Sequence, residues 1–248
     1  MKFATYIFML IMPCMAMAQT TTVTRGDSLY MTNDFEGAIG VYEQLAETSE
    51  SASLYYNLGN AYYKTGNIAK AILNYERSLL LAPADKDTKF NLALAQSKAV
   101  DKIGESYEIF FAVWVRDLVN TLTVGTWATM GIVAFIVLLL SILLFLSTGK
   151  MGYRKIVFFA ALISLIVTLF ANYAAWNLYE RITDRVHAII MQPTVTAKST
   201  PAETGTNLFV IHEGRKVKIS DDSMKGWKEI ELEEGNRGWI PAQALEKI

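Results

Sequence analysis

A single cysteine, Cys14, and two histidines, His187 and His212, leave this chain little thiol, metal or proton-transfer chemistry. With 23 basic against 24 acidic residues the net charge is −1, and no basic stripe supports nucleic-acid binding. No Gly-x-Ser-x-Gly, His-Glu-x-x-His or phosphate-loop pattern occurs. The pair Asp221-Asp222 sits at a turn and reads as a solvated loop rather than a cation site. His212 lies in an Ile-His-Glu-Gly turn, where a structural role fits better than a catalytic one. The expectation is a protein without catalytic residues or a cofactor. Charged residues make up only 19% of the chain, which points to long uncharged segments elsewhere.

What is present begins with a spaced pattern: Tyr55, Leu58-Gly59, Tyr62, then Ala71, Tyr75 and Pro83. Tyr55, Leu58 and Tyr62 fall three or four apart, on one face of a helix over residues 54–64. Gly59 marks a close helix crossing, since a side chain there would hold two backbones apart. Thr65-Gly66-Asn67 supplies a turn. A second helix from Ile68 to Leu81 offers small Ala71 and space-filling Tyr75 at the crossing, and Pro83 ends it for want of an N–H. The pattern resembles the tetratricopeptide signature, whose helical hairpins build a surface on which other proteins dock.

One hairpin cannot bury its own apolar face, so neighbours are required. Gly26, Ala38 and Tyr42 echo Gly59, Ala71 and Tyr75 at a distance of 33 residues, with Asn33-Asp34 at the turn. Downstream, Asn91-Leu92-Ala93 echoes Asn57-Leu58-Gly59 in a helix that begins at Asp85 or Asp87, and its partner helix is degenerate. Residues 19–105 therefore read as an all-α solenoid of roughly two and a half repeats, the last acting partly as a cap. The concave side of such an array is lined by polar positions of each first helix, which here are Asp27, Tyr30, Asn57, Asn60, Lys64 and Asn91. Their amides suit a partner's extended backbone or C-terminal carboxylate. Asn57 and Asn60 are also common in repeats without a specialised ligand, so a framework role stands beside the binding one.

Residues 1–18 read as a secretory signal: Lys2, a short apolar stretch, then Ala16-Met17-Ala18 before Gln19. A lipoprotein signal using Cys14 is the alternative, and Pro13 before it, where a small residue is expected, argues against it. After cleavage no cysteine would remain. Residues 127–147 and 156–179 carry no charge over 21 and 24 residues, and each is long enough to span a bilayer. The loop 148–155 between them holds Lys150, Arg154 and Lys155 and no acid, so it belongs in the cytoplasm, with both flanking regions outside. Trp114, Trp127, Trp176 and Tyr179 fit interfacial anchors. The juxtamembrane segment 106–126 reads either as a surface helix or as the outer end of a longer first span. Polar residues inside the spans are few and none is ionisable, which disfavours an ion or proton pathway.

After Arg185 the pattern changes to short runs at 188–191, 195–198, 208–211, 216–219, 227–232 and 237–240, all reading as strands. Turn signals separate them: Ser199-Thr200-Pro201, Glu213-Gly214, Lys225-Gly226 and Glu234-Gly235-Asn236. Short strands at this spacing suggest a small all-β barrel over 187–248. Residues 208–214, then Gly226-Trp227, then Gly238-Trp239-Ile240-Pro241 with Leu245, look like a bacterial SH3 domain, in which the Gly-Trp-Ile-Pro run is a strand followed by a short helical turn. Trp227, Trp239 and Pro241 offer an aromatic ligand groove. In so small a barrel, tryptophans more commonly fill the core. The resemblance implies peptidoglycan as one possible ligand.

The order of signal, tetratricopeptide repeats, two spans with a basic loop, and SH3-like barrel describes a multidomain membrane protein. It resembles the BatE component of the Bacteroides aerotolerance system. That resemblance implies assembly with von Willebrand A-domain membrane proteins and a MoxR-type ATPase, in oxidative-stress tolerance and envelope integrity. It places both soluble domains in the periplasm. The expected function is an inner-membrane scaffold, and the alternative is a cell-wall-binding envelope sensor.

Overall fold

Four helices in the N-terminal half start on a side chain that accepts from a backbone N–H left unpaired by helix geometry. The computed structural model describes residues 23–101 and 110–248. The expected signal 1–18 with Cys14, and residues 19–22 and 102–109, lie outside the described residues. The described helices of this half are α1 (residues 23–31), α2 (Phe35–Ala46), α3 (Ala52–Thr65), α4 (Ile68–Leu81) and α5 (Lys86–Gln96). Asp34, Ser51 and Asp85 cap α2, α3 and α5 through the N–H of Gly37, Leu54 and Thr88. Asn33 and Gly66, at the two equivalent turns, have φ of 63° and 84°. Asparagine and glycine are the residues that tolerate this left-handed conformation.

The chain forms two compact units. The first holds the repeat helices and the C-terminal sheet. Its helical core is built from Tyr42, Leu58, Tyr62, Ile72 and Tyr75 with smaller residues at the crossings. A Cβ on Gly59 would stand 2.7 Å from the ring of Tyr75, and one on Gly26 would stand 2.4 Å from the ring of Tyr42. Two repeats thus share one crossing design.

The sheet contains β1 (His187–Ile190), β2 (Thr194–Lys198), β3 (Asn207–His212), β4 (Lys216–Asp221), β5 (Trp227–Glu231), β6 (Arg237–Pro241) and β7 (Leu245–Lys247). A 3₁₀ turn, Ala242–Ala244, joins the last two. The order is β3-β2-β6-β5-β4-β1-β7, antiparallel at each pairing. The sheet is open, with β3 and β7 at its two edges, rather than the expected closed barrel. Strand β7 is additional to the runs read from sequence. Its pairing with β1 brings together segments far apart in the chain, which no local pattern reports.

The sequence reading treats 19–105 and 187–248 as separate domains, whereas the structure packs them as one unit. Ile189 and Ile248 of the sheet enter the helical core, while Ile190, Ile230 and Ile240 form the sheet's own. Polar pairs surround this contact. Lys216 Nζ donates to Glu76 at 2.7 Å, and Arg77 Nη2 donates to Glu246 at 3.0 Å and to the Lys247 carbonyl at 2.7 Å. Arg185 bonds both Glu50 oxygens, at 2.6 and 2.7 Å, and this pairing holds the Glu50 carboxyl below its usual range. A solenoid of so few repeats leaves its last apolar face open, and the sheet covers part of it.

The second unit contains α6 (Phe110–Val119), α7 (Val124–Ser147) and α8 (Met151–Asp184). Phe145 meets Phe158 near the turn and Trp127 meets Phe170 at the other end, so α7 and α8 run antiparallel. Both are long and apolar enough to cross a membrane. Only 17% of the most apolar window of each is buried, unlike the core helix of a water-soluble protein. Helix α8 begins at Met151, so Arg154 and Lys155, read from sequence as loop, lie in its first turns. The segment before α7 is a separate helix, because Asn120 to Thr123 break the ladder and Thr123 caps α7 through the Thr126 N–H.

Candidate protein-binding groove

Helix α3 carries Tyr56, Asn60, Tyr63 and Lys64 at positions i, i+4, i+7 and i+8, which is one helical stripe. With Tyr30 from α1, Tyr75 from α4, and Asn91 and Leu94 from α5, they line a concave cavity of about 290 Å³. Four of the six groove residues expected from sequence, Tyr30, Asn60, Lys64 and Asn91, therefore converge here. Asp27 and Asn57 do not line this cavity.

Asp27 and Asn57 are joined to each other instead. Asp27 Oδ1 accepts from Asn57 Nδ2 at 3.1 Å and from the Tyr42 hydroxyl at 2.6 Å. One repeat later, Asn60 Oδ1 accepts from Asn91 Nδ2 at 2.9 Å and from the Tyr75 hydroxyl at 2.8 Å. The two sets are equivalent, so the asparagine ladder is framework: it ties successive first helices together. Asn60 and Asn91 serve that framework and also face the cavity.

Burial pushes the Tyr75 hydroxyl well above its ordinary value, and the neighbouring Tyr56, Tyr30 and Tyr63 add to the shift. Tyr30 moves the same way, by burial and then by Tyr56. These phenols stay neutral hydrogen-bonding groups at physiological pH. Lys64 is exposed and has no ion-pair partner among the described residues. Lys98, 34 residues on, stands 4.3 Å from the Tyr63 ring centroid and adds a second cation at the rim. The arrangement offers neutral donors in a tyrosine-walled trough under two positive charges. Tyr56, Tyr63, Tyr75 and Leu94 were absent from the sequence-derived set. The doublets Tyr55-Tyr56 and Tyr62-Tyr63 carried the signal, since one member of each is buried and the other faces the trough.

A wider crevice of about 610 Å³ opens between the α3–α4 turn and the sheet. Two of its charged lining residues, Lys70 and Glu246, are already paired with Glu43 and Arg77.

On the sheet, register decides where the aromatic residues go. Trp227 lies opposite Pro241, and Trp239 lies opposite Glu229 and Lys198. All three of Trp227, Trp239 and Pro241 are half-buried on the face away from Ile230 and Ile240. The core role that small barrels favour for tryptophan is therefore not theirs. Aliphatic residues fill that core, and Gly238 lets β6 approach Ala197 closely, where a Cβ would come within 2.9 Å. His212 is committed structurally: its N–H donates to Asp101 at 2.7 Å and its Nδ1 lies 2.8 Å from the same carboxylate.

Tetratricopeptide repeat models match residues 26–66 and 52–85, which include α2, α3 and α4. Residues 26–85 thus carry tetratricopeptide repeats, a class whose concave surfaces suggest a role in protein–protein interaction. A search of curated proteins returned no match.

Proposed function

We propose that this chain is a non-enzymatic, membrane-anchored scaffold whose repeat groove holds an extended, acidic segment of a protein partner. The observation that carries the reading is the trough itself: Tyr30, Asn60, Lys64 and Asn91 line one cavity, with Lys98 at its rim. A peptide carbonyl or terminal carboxylate would meet amide and phenol donors there, and Lys64 would supply the opposite charge.

In this reading α7 and α8 cross the bacterial inner membrane, with Lys150, Arg154 and Lys155 on the cytoplasmic side by the positive-inside rule. The unit of repeats and sheet then faces the periplasm. The C-terminal sheet is read as SH3-like on its Gly-Trp-Ile-Pro strand and the 3₁₀ turn that follows. The similarity to BatE suggests the assembly: von Willebrand A-domain membrane proteins, and through them a MoxR-type ATPase, in an aerotolerance or envelope-stress complex. Because repeats and sheet pack together, the scaffold presents one composite surface rather than two independently tethered modules.

A second reading rests on the outward face of Trp227, Trp239 and Pro241, which would suit a stacked sugar or peptide of the cell wall. The test is affinity purification from native membranes through a C-terminal tag, comparing wild type with Lys64→Glu and Lys64→Glu/Lys98→Glu. Partners lost on charge reversal support the groove. Partners retained move the contact to the spans or the sheet. Retention on cell-wall sacculi that depends on Trp239, with no protein partner recovered, favours the second reading.

A further inference from the structure

Helix α6 has three sectors around its axis. Val115 and Val119 pack against Trp127, Ala171, Ala174 and Leu178 of α7 and α8. The Trp127 Nε1–H donates to the Val119 carbonyl at 2.9 Å, which pins the end of α6 to α7. Next to this sector on the helical wheel lie Phe110, Phe111 and Trp114, which are 85%, 67% and 56% exposed. The rings of Phe111 and Trp114 are 6.3 Å apart, so the two form one aromatic surface. Arg116 and Asp117 are both exposed. At about 100° per residue, Phe111 lies beside Val115 with Trp114 next to it, and Arg116 falls on the side opposite these two rings; Asp117, seven residues after Phe110, shares its direction at the edge of the apolar arc.

The place where α6 is held is equally specific. It sits where α7 starts and where α8 carries exposed Tyr173, Trp176 and Tyr179. Just beyond, Arg181 Nη1 donates to Asn120 Oδ1 at 3.3 Å, so polar side chains gather at this end of the hairpin. Tryptophan and tyrosine collect at the boundary between hydrocarbon and headgroups, where one end of the side chain is apolar and the other wet.

We propose that α6 is an interfacial helix whose partner is the lipid bilayer, with Phe111 and Trp114 among the upper acyl chains, Arg116 among the headgroups, and Phe110 and Asp117 at the boundary between them. The inference rests on the reading of α7 and α8 as membrane spans. Lipid is favoured over a protein partner because the aromatic surface continues the apolar exterior of those helices at their end. An amphipathic helix clamped there meets the interface without a further binding step. It would also fix how deeply the hairpin sits, since α6 cannot leave the interface without breaking the Val119–Trp127 contact.

The test uses the full chain reconstituted in phosphatidylethanolamine–phosphatidylglycerol vesicles. A Cys14→Ser background leaves each introduced cysteine as the only one. Nitroxide labels at Phe111→Cys, Trp114→Cys, Arg116→Cys and Leu139→Cys are read for collision with oxygen, which concentrates in lipid, and with a water-soluble nickel chelate. Expected is an oxygen-to-nickel preference several-fold higher at 111 and 114 than at 116, with 139 higher still. Labels at 111 and 114 that match 116 would overturn the proposal, and so would labels shielded from both reagents, because a protein then covers the face. If 139 is also open to nickel, the spanning reading fails first. Lipid exposure at 139 with water exposure at 111 and 114 defeats the interfacial helix alone. Both probe sites are exposed, and agreement between them separates the result from damage at either one.

Discussion

The side-chain amide of Asn57 donates to Asp27 at 3.1 Å, and one repeat later Asn91 makes the same bond to Asn60 at 2.9 Å. In each set a tyrosine from the intervening second helix, Tyr42 or Tyr75, donates to the same oxygen. Three helices are thus joined at one acceptor atom. Leu94 stands where a third acceptor would be, so the ladder ends at α5.

The equivalence of Asp27 and Asn60 makes a discriminating pair of substitutions. Asp27→Asn keeps an acceptor of the same shape and is expected to be close to neutral. Asp27→Ala strands the Tyr42 hydroxyl and the Asn57 amide, and a loss of about 1–3 kcal/mol is expected. Denaturant unfolding of the detergent-solubilised chain, followed by tyrosine fluorescence, distinguishes them. Equal losses would mean that the carboxylate charge, not the acceptor, matters.

Gly59→Ala places a methyl 2.7 Å from the Tyr75 ring, inside contact distance, so the helices must part or the ring must swing. The expected cost is about 1–3 kcal/mol. Adding Tyr75→Leu, which removes the ring, should make the alanine much less costly than it is alone. Additive losses in the double mutant would rule out the crossing as the cause.

Alkaline pH tests Tyr62. Burial raises its hydroxyl, and the hydrogen bond it donates to Glu43 raises it further, up to about 12 from the ordinary 10.0. A folded-state value above the unfolded one means the folded chain holds the proton longer. The stability it contributes is complete below about pH 10 and is lost as pH rises towards about 12. Tyrosinate absorbance should show a late-titrating fraction that shrinks in Tyr62→Phe, together with a flatter alkaline loss of stability.

The union of solenoid and sheet can be tested at Lys216 and Glu76, a 2.7 Å pair whose glutamate side chain is only 11% exposed. Lys216→Glu sets two carboxylates together, and a loss of about 1–3 kcal/mol is expected. Hydrogen exchange should accelerate in α4 and β1 together. The reversed pair, Glu76→Lys with Lys216→Glu, should recover part of that protection. Acceleration confined to the sheet would show that the two parts are energetically independent.

Much of the helical design was legible because its signals are local. Tyr55, Leu58 and Tyr62 marked a buried stripe, Gly26 and Gly59 foretold their tyrosine partners, and Asp85 was one of two expected starts for α5. The trough was half legible: Tyr56, Asn60, Tyr63 and Lys64 share a stripe, but a buried tyrosine and an open one look alike in a doublet. On β5 the alternation Trp227, Glu229, Glu231 against Ile230 already implied an outward tryptophan. The general habit of burying tryptophan in small barrels obscured that cue.

The sequence by itself determined α3, α4, the six strands β1 to β6 and the two uncharged runs, because periodicity and turn signals act over a few residues. It determined the repeat spacing for the same reason: each hairpin carries its own glycine and tyrosine. Only the tertiary structure decided that the sheet stays open, that β7 pairs with β1, and that Ile189 and Ile248 complete a core begun by the helices. Those outcomes depend on contacts between residues far apart in the chain, from 55 positions for Ile190 and Leu245 to more than a hundred for Ile189 and the helices, and on which apolar faces remain uncovered once local structure has formed. A local pattern states that a face is apolar; only packing selects what covers it.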